Sequence, residues 1–378
     1  MTLSMNEALL QVTPSGIRKF NALAKCTPGC ILLTLGEPEF NTDDAIKSCV
    51  SASLDNNMTH YPPNNGEPFL LKALSEHMEH EGLSYAPDDI IVTCGATEAL
   101  YATFMAMLNP GDEVIIPVPA FVLYESIVRM CRCTPVLLDT THDGFSLTQE
   151  SLEAVITDKT KAIVLTSPNN PTGCIYDADA LDAVAQAALD HEFFVICDDV
   201  YHQLTYTSEF ERFAQRHHAL RKQIVVVDSY SKPYAMTGWR LGWLAADNAI
   251  KTQIQKVHQY CVVSVPAFVQ HAAAQALASD ISVMRETYHA RRDFVVKRLE
   301  DMGFDIFKPE GAFYVFPSIK KFGLSSEEFC ERLIKEGGVG LVPGIFFGTE
   351  GYVRLSFCCA QEAIEEALTR IERFIATL

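Results

Sequence analysis

The sequence predicts an α/β protein with a large, mostly parallel seven-stranded sheet joined to a smaller α+β part. Three observations predict it. The chain has 378 residues, long for one domain and comfortable for a large domain plus a small one. Seven apolar runs of strand length (DIIVTC, DEVIIPV, TPVLL, KAIVLTS, FFVICD, QIVVVDS and LGWLAA) alternate with helical patterns from about Asp43 to Ser279. Strands apolar on both faces and separated by helices belong in a parallel sheet covered on both sides. After Pro266 the pattern changes to a long helix from about Asp280 to Met302, then GAFYVFPSI, a helix near Ser325–Glu336, YVRLSF and a last helix to Leu378.

These patterns place a large domain at 41–284 and a small one made of 1–40 and 285–378. The opening residues, through LTLGEPEF, go with the small domain, because a short arm cannot bury itself alone. No internal repeat, low-complexity segment or charged tail interrupts the chain.

The net charge of −18 argues against nucleic acid and anionic membrane as partners. The first residues lack a basic start followed by an apolar core, and no apolar run nears the ~20 residues of a membrane helix. The expected location is the cytoplasm, where the twelve cysteines stay reduced. Their close groupings, Cys26/Cys30, Cys131/Cys133 and Cys358/Cys359, lack zinc spacing, so no metal is expected. Cys94 and Cys197 read as small core residues.

Ligands of open α/β sheets bind beyond the carboxyl ends of the strands. After IIVTC come Gly95, Ala96 and Thr97 and a helix start, a natural phosphate cradle, though such turns are common. After AIVLT comes SPNNPTG, a rigid loop whose Asn170 precedes a proline and is biased to extended geometry. After FFVIC come Asp198 and Asp199, with Tyr201 close behind; a buried carboxylate there needs a cationic partner. After IVVVD come Ser229, Ser231 and Lys232, with Arg240 in the run MTGWRLGW. Each piece alone is commonplace. Together they call for a ligand with a phosphate, a protonatable ring and an electrophilic carbonyl, and pyridoxal 5′-phosphate has all three. Lys232 would form the imine and Asp198 would keep the ring nitrogen protonated. Asn170 and Tyr201 would bond the ring hydroxyl oxygen, and Ser229, Ser231, Arg240 and the N–H groups of Ala96 and Thr97 would hold the phosphate.

The joint pattern S-x-S-Lys232-x5-Gly238-x-Arg240-x-Gly242, with N-P-T-G at 170–173 and Asp198-x-x-Tyr201, resembles the class I/II aminotransferases of fold type I. The resemblance spans the chain. The stretches SGIRKF, MTGWR with KVHQY, and KPEGAFYVFPSIKKFG are most like a Gram-positive subgroup of N-acetyl-LL-diaminopimelate, aromatic and aspartate aminotransferases.

The resemblance implies catalytic roles for Lys232, Asp198 and Tyr201. It implies that Phe121 stacks on the cofactor ring, and that Gly36 and Arg354, with Asn170, bind the substrate carboxylate. It implies a homodimer with shared sites, in which Tyr61 reaches the neighbouring subunit's phosphate, and small-molecule amino acid and 2-oxo acid substrates. Asp199 stands where Glu is commoner and is expected to face away from the ring.

Two other readings share these motifs. A carbon–sulfur β-lyase of the same fold keeps the Lys, Asp and Arg; pyruvate release without a 2-oxo acid acceptor would identify one. A non-enzymatic effector domain would need a DNA-binding partner domain and a less acidic surface. Among lesser features, Arg18, Lys19 and Arg292 could serve a second substrate carboxylate, but read first as solvated surface. Phe313, Tyr314 and Phe316 read as small-domain core, and His202 and His258 as ordinary polar residues.

Overall fold

The computed structural model describes residues 3–208 and 210–378. Twelve strands fall among them: β1 (Ile31–Leu32), β2 (Ile90–Thr93), β3 (Glu113–Val118), β4 (Thr134–Asp139), β5 (Thr160–Thr166), β6 (Phe194–Asp198), β7 (Ile224–Ser229), β8 (Gly242–Ala246), β9 (Tyr314–Val315), β10 (Val339–Gly340), β11 (Val342–Pro343) and β12 (Val353–Ser356).

The seven apolar runs are β2 to β8, and they form one sheet in the order β2-β8-β7-β6-β5-β3-β4. Every neighbouring pair is parallel except those made by β8, which runs antiparallel to both β2 and β7. Alternate residues of each strand feed opposite cores, as the pleat dictates. Val92, Ile163, Val195, Val226 and Ala245 pack with the helices Pro68–His80, Ala178–His191 and Ala267–Ala276. Ile91, Val164, Ile196, Val225 and Leu244 pack on the other face with Ala96–Met107, Leu123–Met130 and Asn248–Cys261. Both faces are therefore covered, which is why the strands read as continuous apolar runs.

A further core gathers Phe20, Leu33, Phe313, Phe329, Leu355 and Ile371. The N-terminal segment joins it by strand pairing: β1 lies parallel to β10, with Ile31 opposite Val339. The long helix is Ser282–Asp301, within two residues of the expected span. The expected helix near 325–336 is α-helical only over Ser326–Arg332 and then widens into a π turn, Leu333–Gly337, ended by left-handed Gly338. GAFYVFPSI contributes only the two residues of β9, paired antiparallel with β12; Pro317 carries no N–H to extend the ladder. All twelve cysteines are free; Cys197 is buried in the sheet core, while Cys94 is only half-buried.

Gly242 starts β8 between Thr93 and Ser229. A Cβ there would sit 2.8 Å from Ala96 N, Asp228 O and Gly95 C, all backbone atoms. Gly242→Ala should therefore lower the stability of the folded chain by about 1–3 kcal/mol, the usual cost of overpacking. Thermal melting reads it; an unchanged midpoint would mean that the Gly95 turn shifts at no cost.

Candidate active site

The carboxyl ends of β2, β3, β5, β6 and β7 share one rim, and β8 begins at it because it runs the other way. The reversal brings Arg240, two residues before β8, to the same place as Lys232. A cavity of about 620 Å³ opens at this rim. Lys232, Asp198, Tyr201, Asn170 and Phe121 line it, as do Ala96, Thr97, Ser229, Ser231 and Arg240 at one end and Gly36 and Arg354 at another. Gly95 lies directly behind, with φ +81° as cap of the helix Ala96–Met107; a Cβ there would meet Arg240 Nη2 at 2.7 Å.

Asp198 ends β6 and is 4% exposed. Its Oδ2 accepts a hydrogen bond from Tyr124 Oη at 2.6 Å, and Tyr124 also meets Thr166 Oγ1 at 2.8 Å. Its Oδ1 is buried with no hydrogen-bond partner among the described residues. Burial, with help from the neighbouring Asp199 and Asp228 charges, pushes the carboxyl up to about 7 despite the Tyr124 bond. Asp199 turns away from the cavity, where Arg212 Nε donates to its Oδ2 at 2.8 Å.

Lys232 Nζ donates to Gly36 O at 2.7 Å. Burial lowers its pKa to about 8, so the free amine is within reach near neutral pH. Ser229 and Ser231 share a hydroxyl–hydroxyl bond of 2.8 Å. With the free helix start at Ala96 and the Arg240 guanidinium, they make an electropositive pocket of anion-binding type.

Arg354 is a buried guanidinium with no carboxylate partner among the described residues. Nη1 donates to Asn170 Oδ1 at 2.8 Å and Nη2 to Thr34 O at 2.6 Å, and Nε is unpaired. It lies 4.5 Å above the Tyr314 ring and 4.9 Å from that of Phe347. Tyr201 and Tyr314 share a hydroxyl–hydroxyl bond of 2.8 Å. Gly36 passes so close that a Cβ would overlap the Tyr314 hydroxyl, at 1.7 Å.

The "Aminotransferase class I and II" family model matches residues 28–371. A Bacillus subtilis protein named "probable N-acetyl-LL-diaminopimelate aminotransferase" is 41% identical over 98% of this chain and 95% of its own. The aromatic-amino-acid aminotransferase 2 of Thermococcus litoralis is 37% identical over 99% of this chain and 98% of its own. The solved aspartate aminotransferase of Thermus thermophilus with maleate superposes with TM-score 0.93 at 32% identity, covering 99% of this chain and all of that one. The chain belongs to the class I and II aminotransferases. It is a pyridoxal phosphate-dependent transaminase of fold type I.

The residues of this aminotransferase fit that cofactor. Asp198 Oδ1 lacks a partner and could receive the ring N–H. The Gly95 turn, the serine pair and Arg240 could hold the phosphate, Phe121 could cover a ring face, and Lys232 offers an amine.

Other residues singled out in the sequence lie elsewhere. Tyr61 does not line the cavity; it is 88% exposed beside a separate cleft formed with Met58, Pro62 and Phe268. Arg292 is not solvated: it is 5% exposed, bonded to Pro309 O and paired with Asp293, because the helix Ser282–Asp301 turns it inward. Lys19 is exposed and pairs with Glu327, whereas Arg18, also exposed, borders the cavity mouth. Tyr314 is core and cavity wall at once. His202 and His258 are buried in ion-pair contacts with Glu81 and Glu98. Sequence reasoning missed Tyr124, which bonds Asp198, and Thr166, which bonds Tyr124. The signal for Tyr124 was its place three residues after Phe121, on the first turn after β3.

Because the Lys232 amine carries the nucleophilic pair only when deprotonated, cofactor capture by the cofactor-free enzyme should accelerate as pH rises to about 8 and level off above it. Stopped-flow absorbance reads this. A rate still climbing towards the ordinary lysine value of 10.5 would show that burial does not depress it.

Proposed function

We propose that this aminotransferase moves the amino group of an L-amino acid to a 2-oxo acid such as 2-oxoglutarate in a ping-pong cycle centred on Lys232. The candidate donors are N-acetyl-LL-diaminopimelate and aromatic or acidic amino acids, the classes named for the similar proteins. The observation that carries this reading is the pair of buried, uncompensated charges, Asp198 and Arg354, on one cavity with Lys232. The bound cofactor supplies an electron-accepting ring and a carbonyl carbon that takes up the amino group.

The protein supplies the rest. Arg354, held by Asn170 and Thr34, presents a fixed guanidinium to the α-carboxylate, beside the Gly36 backbone. The free Lys232 amine is a base of suitable pKa to take the α-proton and later return it. Asp198 would pair with the protonated ring nitrogen, and Tyr124 fixes the orientation of its carboxylate. Tyr201 and Asn170 would bond the ring oxygen, and the serine pair, Arg240 and the Ala96 and Thr97 N–H groups would bind the phosphate.

We further place the enzyme in the cytoplasm, consistent with its twelve free thiols, and assign it a homodimer in which Tyr61 serves the partner's site. The exposure of Tyr61, and of Tyr260 at 87%, supports such an interface. The division into 41–284 and 1–40 with 285–378 sets the cavity between the two domains.

The half-reaction decides the donor. Holoenzyme mixed with a panel of L-amino acids, N-acetyl-LL-diaminopimelate included, should lose its visible cofactor absorbance with at least one. No conversion with any, alongside pyruvate release from cystathionine, would establish the lyase instead. Lys232→Ala should lose nearly all turnover; a normal rate would overturn the role of Lys232. Arg354→Lys exchanges the fork for a point charge and should raise KM about 10–100-fold, the worth of one charged hydrogen bond, with kcat less affected.

A further inference from the structure

Beside the strand ends lies a buried charge cluster that the transfer chemistry leaves unused. His202, one residue after Tyr201, is buried. Its Nε2 is 3.1 Å from Glu81 Oε1, and its Nδ1 is 3.2 Å from Asp228 Oδ2 and 2.9 Å from Asp199 O. All three are acceptors, so only a ring protonated on both nitrogens satisfies both sides. Arg212 closes the cluster, donating to Asp199 Oδ2 and to Glu81 Oε2, each at 2.8 Å, with Nη2 at 3.9 Å from Asp228 Oδ2.

We propose that His202 is a positioning residue whose imidazolium, bridging Glu81 and Asp228, holds the serine pair of β7 in place for the cofactor phosphate. The inference rests on the assignment of Ser229 and Ser231 to that phosphate. The path is short. Asp228 turns one oxygen to His202 and the other, Oδ1, to the Ser229 N–H at 2.6 Å. Ser229 Oγ then bonds Ser231 Oγ at 2.8 Å and accepts the Ser231 N–H at 3.0 Å. Glu81, at the far side of His202, follows the helix Pro68–His80, so the ring ties that helix to the end of β7.

The charge balance supports a cation. Glu81, Asp199 and Asp228 face one guanidinium, leaving two negative charges in excess unless His202 is protonated. Burial opposes the charged ring, but Asp228 and Glu81 outweigh it and Arg212, and its pKa is raised above 6.5. Against its own burial, bonds from His202 and His77 hold the Glu81 carboxyl well below the usual range. Burial pushes Asp228 up to about 6, with His202 and Arg212 pulling against it. The charged or titratable groups around His202 are thus Glu81 and His77 from the helix end, Asp199 and Arg212 from its own segment and Asp228 from β7. Tyr234 and Arg285 join them along the adjoining cleft. A raised pKa places the stabilisation fully below pH 6.5 and removes it as pH rises through the folded value.

The test is cofactor release from holoenzyme at pH 6.5 to 9, with pyridoxal 5′-phosphate and, in parallel, with pyridoxal, which lacks the phosphate. His202→Asn keeps a donor towards Asp228 but carries no charge and cannot reach Glu81. It should release the phosphorylated cofactor about tenfold faster at pH 6.5, lack the wild-type acceleration with rising pH, and leave pyridoxal release unchanged. If thermal melting shows His202→Asn misfolded, His202→Gln carries the same comparison. A variant that kept the wild-type pH dependence, or loosened both cofactors equally, would overturn the proposal alone. A wild type that held pyridoxal as firmly as its phosphate would overturn the phosphate assignment and the proposal with it.

Discussion

Asp198 and Arg354 are groups of opposite charge type buried on one cavity, and neither has a counter-ion among the described residues. Burying a charge unpaired is among the most expensive things a fold can do. Each is instead supported by neutral dipoles, Tyr124 under the carboxylate and Asn170 and Thr34 O around the guanidinium. Neutral support orients a charge without cancelling it. The cavity is therefore built to receive a cation at one point and an anion at another, with the Lys232 amine on the same wall. A protonated ring nitrogen and a substrate carboxylate would meet those demands together, so binding them would offset much of that electrostatic cost.

The sheet topology serves this arrangement. A wholly parallel sheet would deliver only strand ends to the rim. Reversing β8 delivers a strand beginning as well, and with it Arg240 beside Ser229 and Ser231. The cost is crowding, since three backbone segments meet where β8 starts, and only the absent side chain of Gly242 lets them pass. Gly36 plays the same part on the opposite wall, where its carbonyl reaches Lys232 beneath the Tyr314 hydroxyl.

The strands and the cavity residues they carry were legible because each follows an apolar run in sequence. Asp198, Lys232 and Asn170 sit within a few residues of a strand end, where local pattern alone places them. What escaped were relations across long separations. Tyr124 reaches Asp198 from 74 residues away, and Tyr314 reaches Tyr201 from 113. Arg292 looked solvated because its helix has no clean apolar stripe: Arg291 and Arg292 are buried on it alongside Tyr288 and Val295. His202 looked ordinary because its partners, Glu81 and Asp228, stand on other elements.

Two sets of residues divide the labour at the cavity. Asp198 and Arg354 sit on the sheet rim and on β12, fixed by buried hydrogen bonds. Those at the mouth, Ser15, Ile17, Arg18 and Leu35, come instead from the N-terminal segment that pairs with β10. The mouth mixes apolar surface with one guanidinium that pairs with no carboxylate among the described residues, so it offers footholds to apolar and anionic side chains alike. Arg18 and Leu35 are exposed there, Ser15 is half-buried, and Ile17 is buried in a small core with Phe316, Val342 and Phe347. The N-terminal segment thus reaches the cavity mouth without taking part in the buried hydrogen bonds of Asp198 and Arg354.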